Sequence, residues 1–307
     1  MRIRTIAKSL PHQAGPAPAP DGGAAAAGSG GGEWETERLD LDSYLARIGY
    51  HGDLAPTAAT LRALHRAHSA AVPFENLDIV LGRGIALDLE ALQDKLVGRR
   101  RGGYCYEQSL LFAAALDRLG YPVIRLAARI HHSRAQPGPR GHMLLCVQAD
   151  GTRWLADVGF GAGVEEPIPL VDGATVSQDG WIYQLRLDAD GWWSLCSVTA
   201  GLPSDLYAFT LEPHHQVDYE MASFYTSTHP HSPFVGRPVA MRTAAGARHA
   251  LVGRKLTTSY PDGSRHHRTV DDTELGEVLR EVFAIALPPD DLARLITDTH
   301  QKELTGA

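Results

Sequence analysis

The spacing of apolar residues changes period twice along the chain. From Leu41 to Gly120 they recur at helical intervals. Leu41, Tyr44, Leu45 and Ile48 make one face that stops at Gly49, and Leu61 and Leu64 make another behind the N-cap candidate Thr57. Leu89, Leu92 and Leu96 follow Asp88, a third capping residue, and Ser109, Phe112, Ala113, Leu116 and Leu119 lead to a stop at Gly120. Beyond Gly120 the period falls to two. Ile124, Leu126, Ala128 and Ile130 alternate as in a strand, and the apolar runs after His142 and after Arg153 flank Asp150-Gly151, a strong hairpin signal. Further strands are expected at Trp181–Leu187 and Trp192–Val198, then at Arg248–Val252, Lys255–Tyr260 and His266–Val270. Helical spacing returns at Leu275, Val278, Leu279 and Val282, and Leu292, Leu295 and Ile296 predict a short last helix.

Ahead of this pattern, residues 1–36 hold a Pro-Ala run, an alanine run and a glycine cluster. They carry too little apolar mass to offset ordering entropy and read as a disordered extension, with order beginning near Leu39. Lys and Arg number 29 against 36 Asp and Glu, a formal charge of −7, with no long basic run beyond Arg99–Arg101. That balance argues against nucleic acid or an anionic membrane as partner. Three widely spaced cysteines (Cys105, Cys146, Cys196) argue for a reducing compartment and against a disulfide framework or thiolate zinc site. No apolar run reaches membrane-spanning length and no apolar core follows Arg2, Arg4 and Lys8, so a cytoplasmic protein is expected.

Cys105 changes the picture most. It stands where the glycine pair Gly102-Gly103, read as a flexible approach, gives way to the fourth helix. Free N–H groups and the positive end of a helix dipole favour the thiolate, the nucleophilic form. A nucleophile needs a base and an orienting acid, and the hairpin supplies both. With Asp150 and Gly151 at the turn centre, Ala149 faces Thr152 and paired numbers sum to 301. His142 then lies opposite Gly159 and Asp157 opposite Leu144, so His142 and Asp157 share a face as diagonal neighbours about 7–8 Å apart. A slip of one residue would separate them. His65 and His68, at helical spacing but without a third ligand, read as interfacial helix residues rather than a metal site.

These segments resemble the arylamine N-acetyltransferases. The resemblance rests on Arg101-Gly-Gly-Tyr-Cys105-Tyr-Glu, the strand from His142, and Trp154-Leu-Ala-Asp157-Val-Gly-Phe-Gly161. Val72-Pro-Phe-Glu-Asn-Leu-Asp78 and Tyr225-Thr-Ser-Thr-His-Pro-His-Ser-Pro-Phe234 support it, and it runs from about Leu39 to the C-terminus. It implies an α+β fold: an N-terminal helical bundle (37–120) carrying the nucleophile, a central β-barrel (121–225) carrying His and Asp, and a C-terminal α/β lid (226–307) reached through a connecting helix. At its centre would stand a Cys-His-Asp triad in a cysteine-protease-like core. Cys105 is implied as nucleophile, His142 as base and Asp157 as orienter. Phe74 and Phe160 would line the acceptor pocket, Gly161 and Phe234 would meet the cofactor, and Glu75 with Arg101 would position the cysteine loop. One departure is Ser109, where family members often carry Asn.

The activity implied is acetyl transfer from acetyl-CoA to a small aromatic amine or hydrazine, in two half-reactions through an acetyl-cysteine, with no metal. An alternative from the same family is a macrolactam-forming amide synthase, which would join a polyketide held on an acyl carrier protein to an aryl amine. A papain- or transglutaminase-type thiol hydrolase shares the triad logic but needs no CoA.

Overall fold

The computed structural model describes residues 32–130, 138–161 and 163–305. Helix α1 (Leu41–Ile48) starts where Asp40 Oδ1 accepts the Ser43 N–H at 3.0 Å and ends at left-handed Gly49. Thr57 caps α2 (Ala58–Ala71) in the same way. Strand β1 (Phe74–Glu75) and the short α3 (Leu77–Val80) follow, and then α4 (Leu89–Leu92), capped by Asp88 and prolonged by a π turn over Gln93–Gly98. Helix α5 (Cys105–Arg118) differs from the amphipathic expectation: every residue from Cys105 to Leu116 is buried. It is packed by α1, α4, and strands of the following sheet on all sides, as a central helix must be.

The next eight strands are β2 (Val123–Ile130), β3 (His142–Ala149), β4 (Thr152–Ala156), β5 (Ile168–Pro169), β6 (Thr175–Gln178), β7 (Trp181–Leu187), β8 (Trp193–Thr199) and β9 (Leu202–Phe209). They form one antiparallel sheet in the order β5-β4-β3-β2-β9-β8-β7-β6. Ile168 near one edge and Tyr183 and Leu185 near the other share a core with Leu126, Leu144 and Tyr207, so the sheet curls into a barrel. Asp150 and Gly151 both have positive φ (48° and 73°), and the β3–β4 ladder runs from Ala149↔Thr152 to Leu145↔Ala156, every pair summing to 301.

Helix α6 (Gln216–Thr228) connects this barrel to a second antiparallel sheet of β10 (Val239–Ala244), β11 (Ala247–Val252), β12 (Lys255–Ser259) and β13 (Arg265–Thr269). The boundary expected at 225 falls inside that helix. At the sheet's edge sits β1, paired Phe74↔Met241, so an early segment belongs to the late layer. Helices α7 (Asp272–Glu281) and α8 (Pro289–Thr305) cover this layer, and their Leu275, Leu279 and Leu295 share a core with Leu77, Val80 and Leu81 of α3 and its cap. The last helix is thus a long one of 17 residues, and β9 and β10 are strands without a clear alternating signal.

Of the extension expected over 1–36, residues 1–31 lie outside the described part. Order begins before Leu39, because Trp34 supplies an aromatic anchor against Tyr219 and under the Arg125 guanidinium. Among the described residues no helix is long and apolar enough to cross a membrane.

Candidate active site

Cys105 is the first residue of α5, and close backbone contacts on both sides hold it there. A Cβ on Gly102 would come within 2.1 Å of the Pro73 carbonyl oxygen, and one on Gly103 would press on the Glu107 side chain. The pair serves close packing, with Gly103 bridged to Phe74, and not the flexibility expected of it. Glu107 Oε2 accepts the Tyr104 N–H at 3.0 Å, fixing the start of the helix, while its Oε1 meets Lys95 Nζ at 2.7 Å. Lys95 also holds Asp78 at 2.8 Å, and Arg101 binds Glu75 Oε1 at 2.7 Å and lies 3.5 Å from Asp78. Glu75 and Arg101 therefore belong to a buried ionic cluster beneath the cysteine loop. Its carboxylates are saturated, with Glu75 Oε2 taking the Leu77 N–H.

The β3–β4 hairpin brings the other two side chains to the sulfur. His142 Nε2 and Asp157 Oδ2 are 2.8 Å apart, both buried. Asp157 Oδ1 also accepts the Gly159 N–H at 3.1 Å. His142 Nδ1 is left for Cys105. Burial alone would push the His142 ring down, but the Asp157 carboxylate and the Cys105 sulfur beside it hold it up, at about 10. Burial likewise works against the Asp157 anion, and His142, Tyr207 and Gly159 overcome that and keep it below the usual carboxylate range. Gly159 is required for approach: a Cβ there would lie 2.8 Å from Cys105 Cα and 2.9 Å from its carbonyl oxygen.

Cys105 and His142 face a cleft of about 580 Å³. Phe74, Phe160, Phe234 and Met241 form most of its apolar wall. A mainly apolar, aromatic-lined cleft beside a paired sulfur and imidazole suits acyl transfer to a flat, weakly basic acceptor.

The N-acetyltransferase family model matches residues 57–292. Arylamine N-acetyltransferase of Mycolicibacterium smegmatis is 40% identical over 257 residues, 81% of this chain and 93% of that one. The chain belongs to the arylamine N-acetyltransferase family. Among solved structures, the Mycobacterium abscessus arylamine N-acetyltransferase superposes with a TM-score of 0.83 at 37% identity, covering 87% of this chain and 97% of the other. The Mycobacterium marinum arylamine N-acetyltransferase in complex with CoA gives 0.79 at 36% identity, covering 85% and 99%. Like these relatives the chain is an acyltransferase, and the amide-synthase alternative gains no support from them.

Within this arylamine N-acetyltransferase fold, the structure brings Cys105, His142, Phe74, Phe160 and Phe234 around one space, with Asp157 bonded to His142 behind it. Phe234 is held there by Asn76, whose Nδ2 donates to the Phe234 carbonyl at 2.8 Å. Gly161 stands apart: it lies behind the cleft wall with φ 83°, where a Cβ would meet Met241 Sδ at 2.8 Å and Phe74 Cγ at 3.1 Å. Ser109 donates its hydroxyl to the Met143 carbonyl at 3.1 Å, tying α5 to β3 next to His142.

Two contributors escaped sequence reasoning. Tyr207 of β9 lays its ring 5.0 Å from the His142 ring and 5.2 Å from Phe160, with its hydroxyl facing Asp157. His65 of α2 accepts the Asp157 N–H at Nε2 (3.0 Å) and donates from Nδ1 to the Glu165 carbonyl (2.9 Å). His65 is visible in sequence as a helix histidine; its partner, 92 residues on, is not.

Proposed function

We propose that Cys105, His142 and Asp157 act as nucleophile, base and orienting acid, with acetyl-CoA as the acyl-donor substrate. The observation that carries this reading is the 2.8 Å His142–Asp157 bond, which leaves His142 Nδ1 directed to a sulfur at the mouth of the cleft. His142, held up by Asp157, carries at Nδ1 the proton taken from the Cys105 thiol, and the thiolate attacks the thioester carbonyl. The tetrahedral oxyanion is met by the Cys105 N–H in the open first turn of α5. When it collapses, the carbon–sulfur bond to CoA breaks, the His142 proton goes to the leaving thiolate, and the acetyl group stays on Cys105. An aryl amine or hydrazine then attacks that thioester, gives its proton to His142, and releases the Cys105 thiolate. Such acceptors are largely neutral at pH 7 and arrive as nucleophiles, and the walls Phe74 and Phe160 suit a flat ring.

Glu75 and Arg101 position the cysteine loop through the buried cluster, and Phe234 contributes the wall nearest the donor. For Gly161 the reading is narrower: packing under Phe74 and Met241, with its loop backbone still available to the donor's diphosphate. The helical, barrel and lid segments divide the work as nucleophile carrier, base carrier and cover. All three cysteines are free and buried, which fits a cytoplasmic setting.

Intact mass after brief exposure to acetyl-CoA without amine is the test. The wild type is expected to gain one acetyl group, discharged on adding an anisidine, and Cys105→Ala is expected to gain none. A wild type that stays unmodified, or a variant still acetylated, would refute the assignment.

A further inference from the structure

The stretch that joins β4 to β5 carries both Asp157 and Phe160, and each layer of the molecule holds part of it. Helix α2 ties its two ends: His65 accepts the Asp157 N–H at 3.0 Å and donates to the Glu165 carbonyl at 2.9 Å. Between those ends the grip comes from elsewhere. The Gly163 carbonyl accepts the Tyr183 hydroxyl of β7 at 2.8 Å, and a guanidinium N–H of Arg248, on β11, also at 2.8 Å. Arg248 Nη2 donates to the Tyr183 oxygen as well, which closes a triangle of hydrogen bonds. The lid sheet thus reaches across to a loop of the barrel.

Arg248 is a costly residue to bury. It is only 7% exposed, and its Nε has no hydrogen-bond partner among the described residues. Glu165 Oε1 stands 4.0 Å away, beyond hydrogen-bond reach. What offsets the burial is the Gly163 carbonyl, the phenol, and the Trp181 ring, whose centre lies 3.9 Å from the guanidinium carbon. Burial pushes the Tyr183 phenol up to about 12, so it stays a neutral hydroxyl that both accepts and donates. An apolar side chain would fill such a space at less cost. The reason for an arginine is therefore to be sought in what it holds.

It holds the seat of Phe160. Gly163 packs directly against that side chain: a Cβ on Gly163 would lie 2.9 Å from Phe160 Cβ. The Phe160 ring in turn stands edge-on to the His142 ring at 5.1 Å and lines the cleft. We propose that Arg248 is a positioning residue for acceptor selection, a role that rests on Phe160 being the acceptor wall. By fixing the Gly163 carbonyl from the lid, it sets how an aromatic ring fits against Phe160. Arg248 itself does not line the cleft, so it acts through Phe160 and not on the acceptor.

The test divides the reaction at the acetyl-enzyme. Full-length wild type and Arg248→Met are loaded with acetyl-CoA, and the acetyl mass is followed during discharge by an anisidine or by hydroxylamine, a small nucleophile with no ring to seat. Arg248→Met is expected to slow discharge by the anisidine about tenfold, and to slow loading and discharge by hydroxylamine less than about twofold. A general loosening of the fold would slow all three alike. Arg248→Lys keeps a cation beside the carbonyl but loses the planar stack on Trp181, and it tests the same point where Met destabilises the fold; a selective loss of about threefold is expected. Phe160→Ala should itself lose the preference for the anisidine, and in that background Arg248→Met should add less than about twofold. An unchanged anisidine-to-hydroxylamine ratio in both Arg248 variants would overturn the proposal. So would a further tenfold selective loss in the Phe160→Ala background. If Phe160→Ala alone loses the ratio, only the role of Arg248 falls; if it keeps the ratio as well, the acceptor-wall reading falls too.

Discussion

Two histidines are bonded to the same residue, Asp157, and end in opposite states. His142 meets its carboxylate at 2.8 Å and is held up at about 10; His65 meets its backbone N–H at 3.0 Å and is pushed down by burial to about 4. Both rings are buried and both make two polar contacts, so burial does not separate them. What separates them is the kind of partner. His65 has one donor facing one nitrogen and one carbonyl facing the other, which is the complement of a neutral imidazole. His142 has a carboxylate on one side and the Cys105 sulfur on the other, two acceptors that complement an imidazolium. The same side chain is a fixed strut in one place and, in the proposed mechanism, a proton carrier in the other.

The largest effect should come from removing the difference itself. Asp157→Asn gives His142 a neutral partner and permits the wrong tautomer, while the backbone N–H that serves His65 is untouched. We expect kcat/KM for arylamine acetylation to fall by about 10³-fold or more. Stability at pH 7 should fall as well, since against burial the Asp157 carboxylate holds the His142 ring up, but the loss of rate should persist in the fraction that stays folded. Single-turnover acetylation of Cys105 followed by mass, beside urea unfolding of the same variant, compares the two. A folded variant that acetylates Cys105 at the wild-type rate would mean that Asp157 is a strut like its neighbour.

The next effect is on stability against acid, and its sign differs for the two histidines. An unfolded histidine takes a proton near pH 6.5, but folded His65 resists it until about pH 4, and His68, bonded to the Tyr44 hydroxyl, until about pH 3. Below pH 6.5 the unfolded chain binds more protons, so stability is complete above that pH and is lost as pH falls toward 4 and 3. Between pH 7 and pH 5 each ring should cost about 2 kcal/mol. His142, raised instead of lowered, contributes stability that is complete below pH 6.5 and is lost as pH rises through about 10. Urea midpoints across pH 4.5–7 should rise with pH, and His65→Gln should flatten the slope. An unchanged slope would remove His65 from the strut role.

The order of these effects follows how each residue is held, and that also sets what is legible in sequence. The hairpin register depends on a two-residue turn and alternation, both local, so His142 and Asp157 could be placed on one face from numbering alone. The start of α5 was legible for the same reason. Gly102, Gly103 and Gly159 were visible as glycines, but their purpose was not, because each makes room for backbone or side chains that only the fold brings close. Tyr207 escaped because β9 lacks a clean alternation and is defined by its neighbours β2 and β8. The pairing of Phe74 with Met241 joins segments 167 residues apart, and no periodicity encodes it.

The smallest effect expected is at Ser109, which sharpens the comparison from the sulfur's side. Its hydroxyl donates to the Met143 carbonyl at 3.1 Å, one residue from His142, and so fixes α5 against β3 where thiol and imidazole meet. Ser109→Ala removes that bond from the buried carbonyl and should cost about 1 kcal/mol by urea unfolding. The charge on Asp157 and the neutral partners of His65 are unaffected, so the pH slope of stability should stay as it is. Acetylation of Cys105 should slow by less than about tenfold, since positioning changes and the proton path does not. Ser109→Asn is the sharper variant: the ideal Cβ position of Gly159 lies only 3.1 Å from Ser109 Oγ, so a longer amide must push against the Gly159 backbone. A larger loss for Asn than for Ala, in rate and in stability together, would show that this chain's serine is matched to its own close packing.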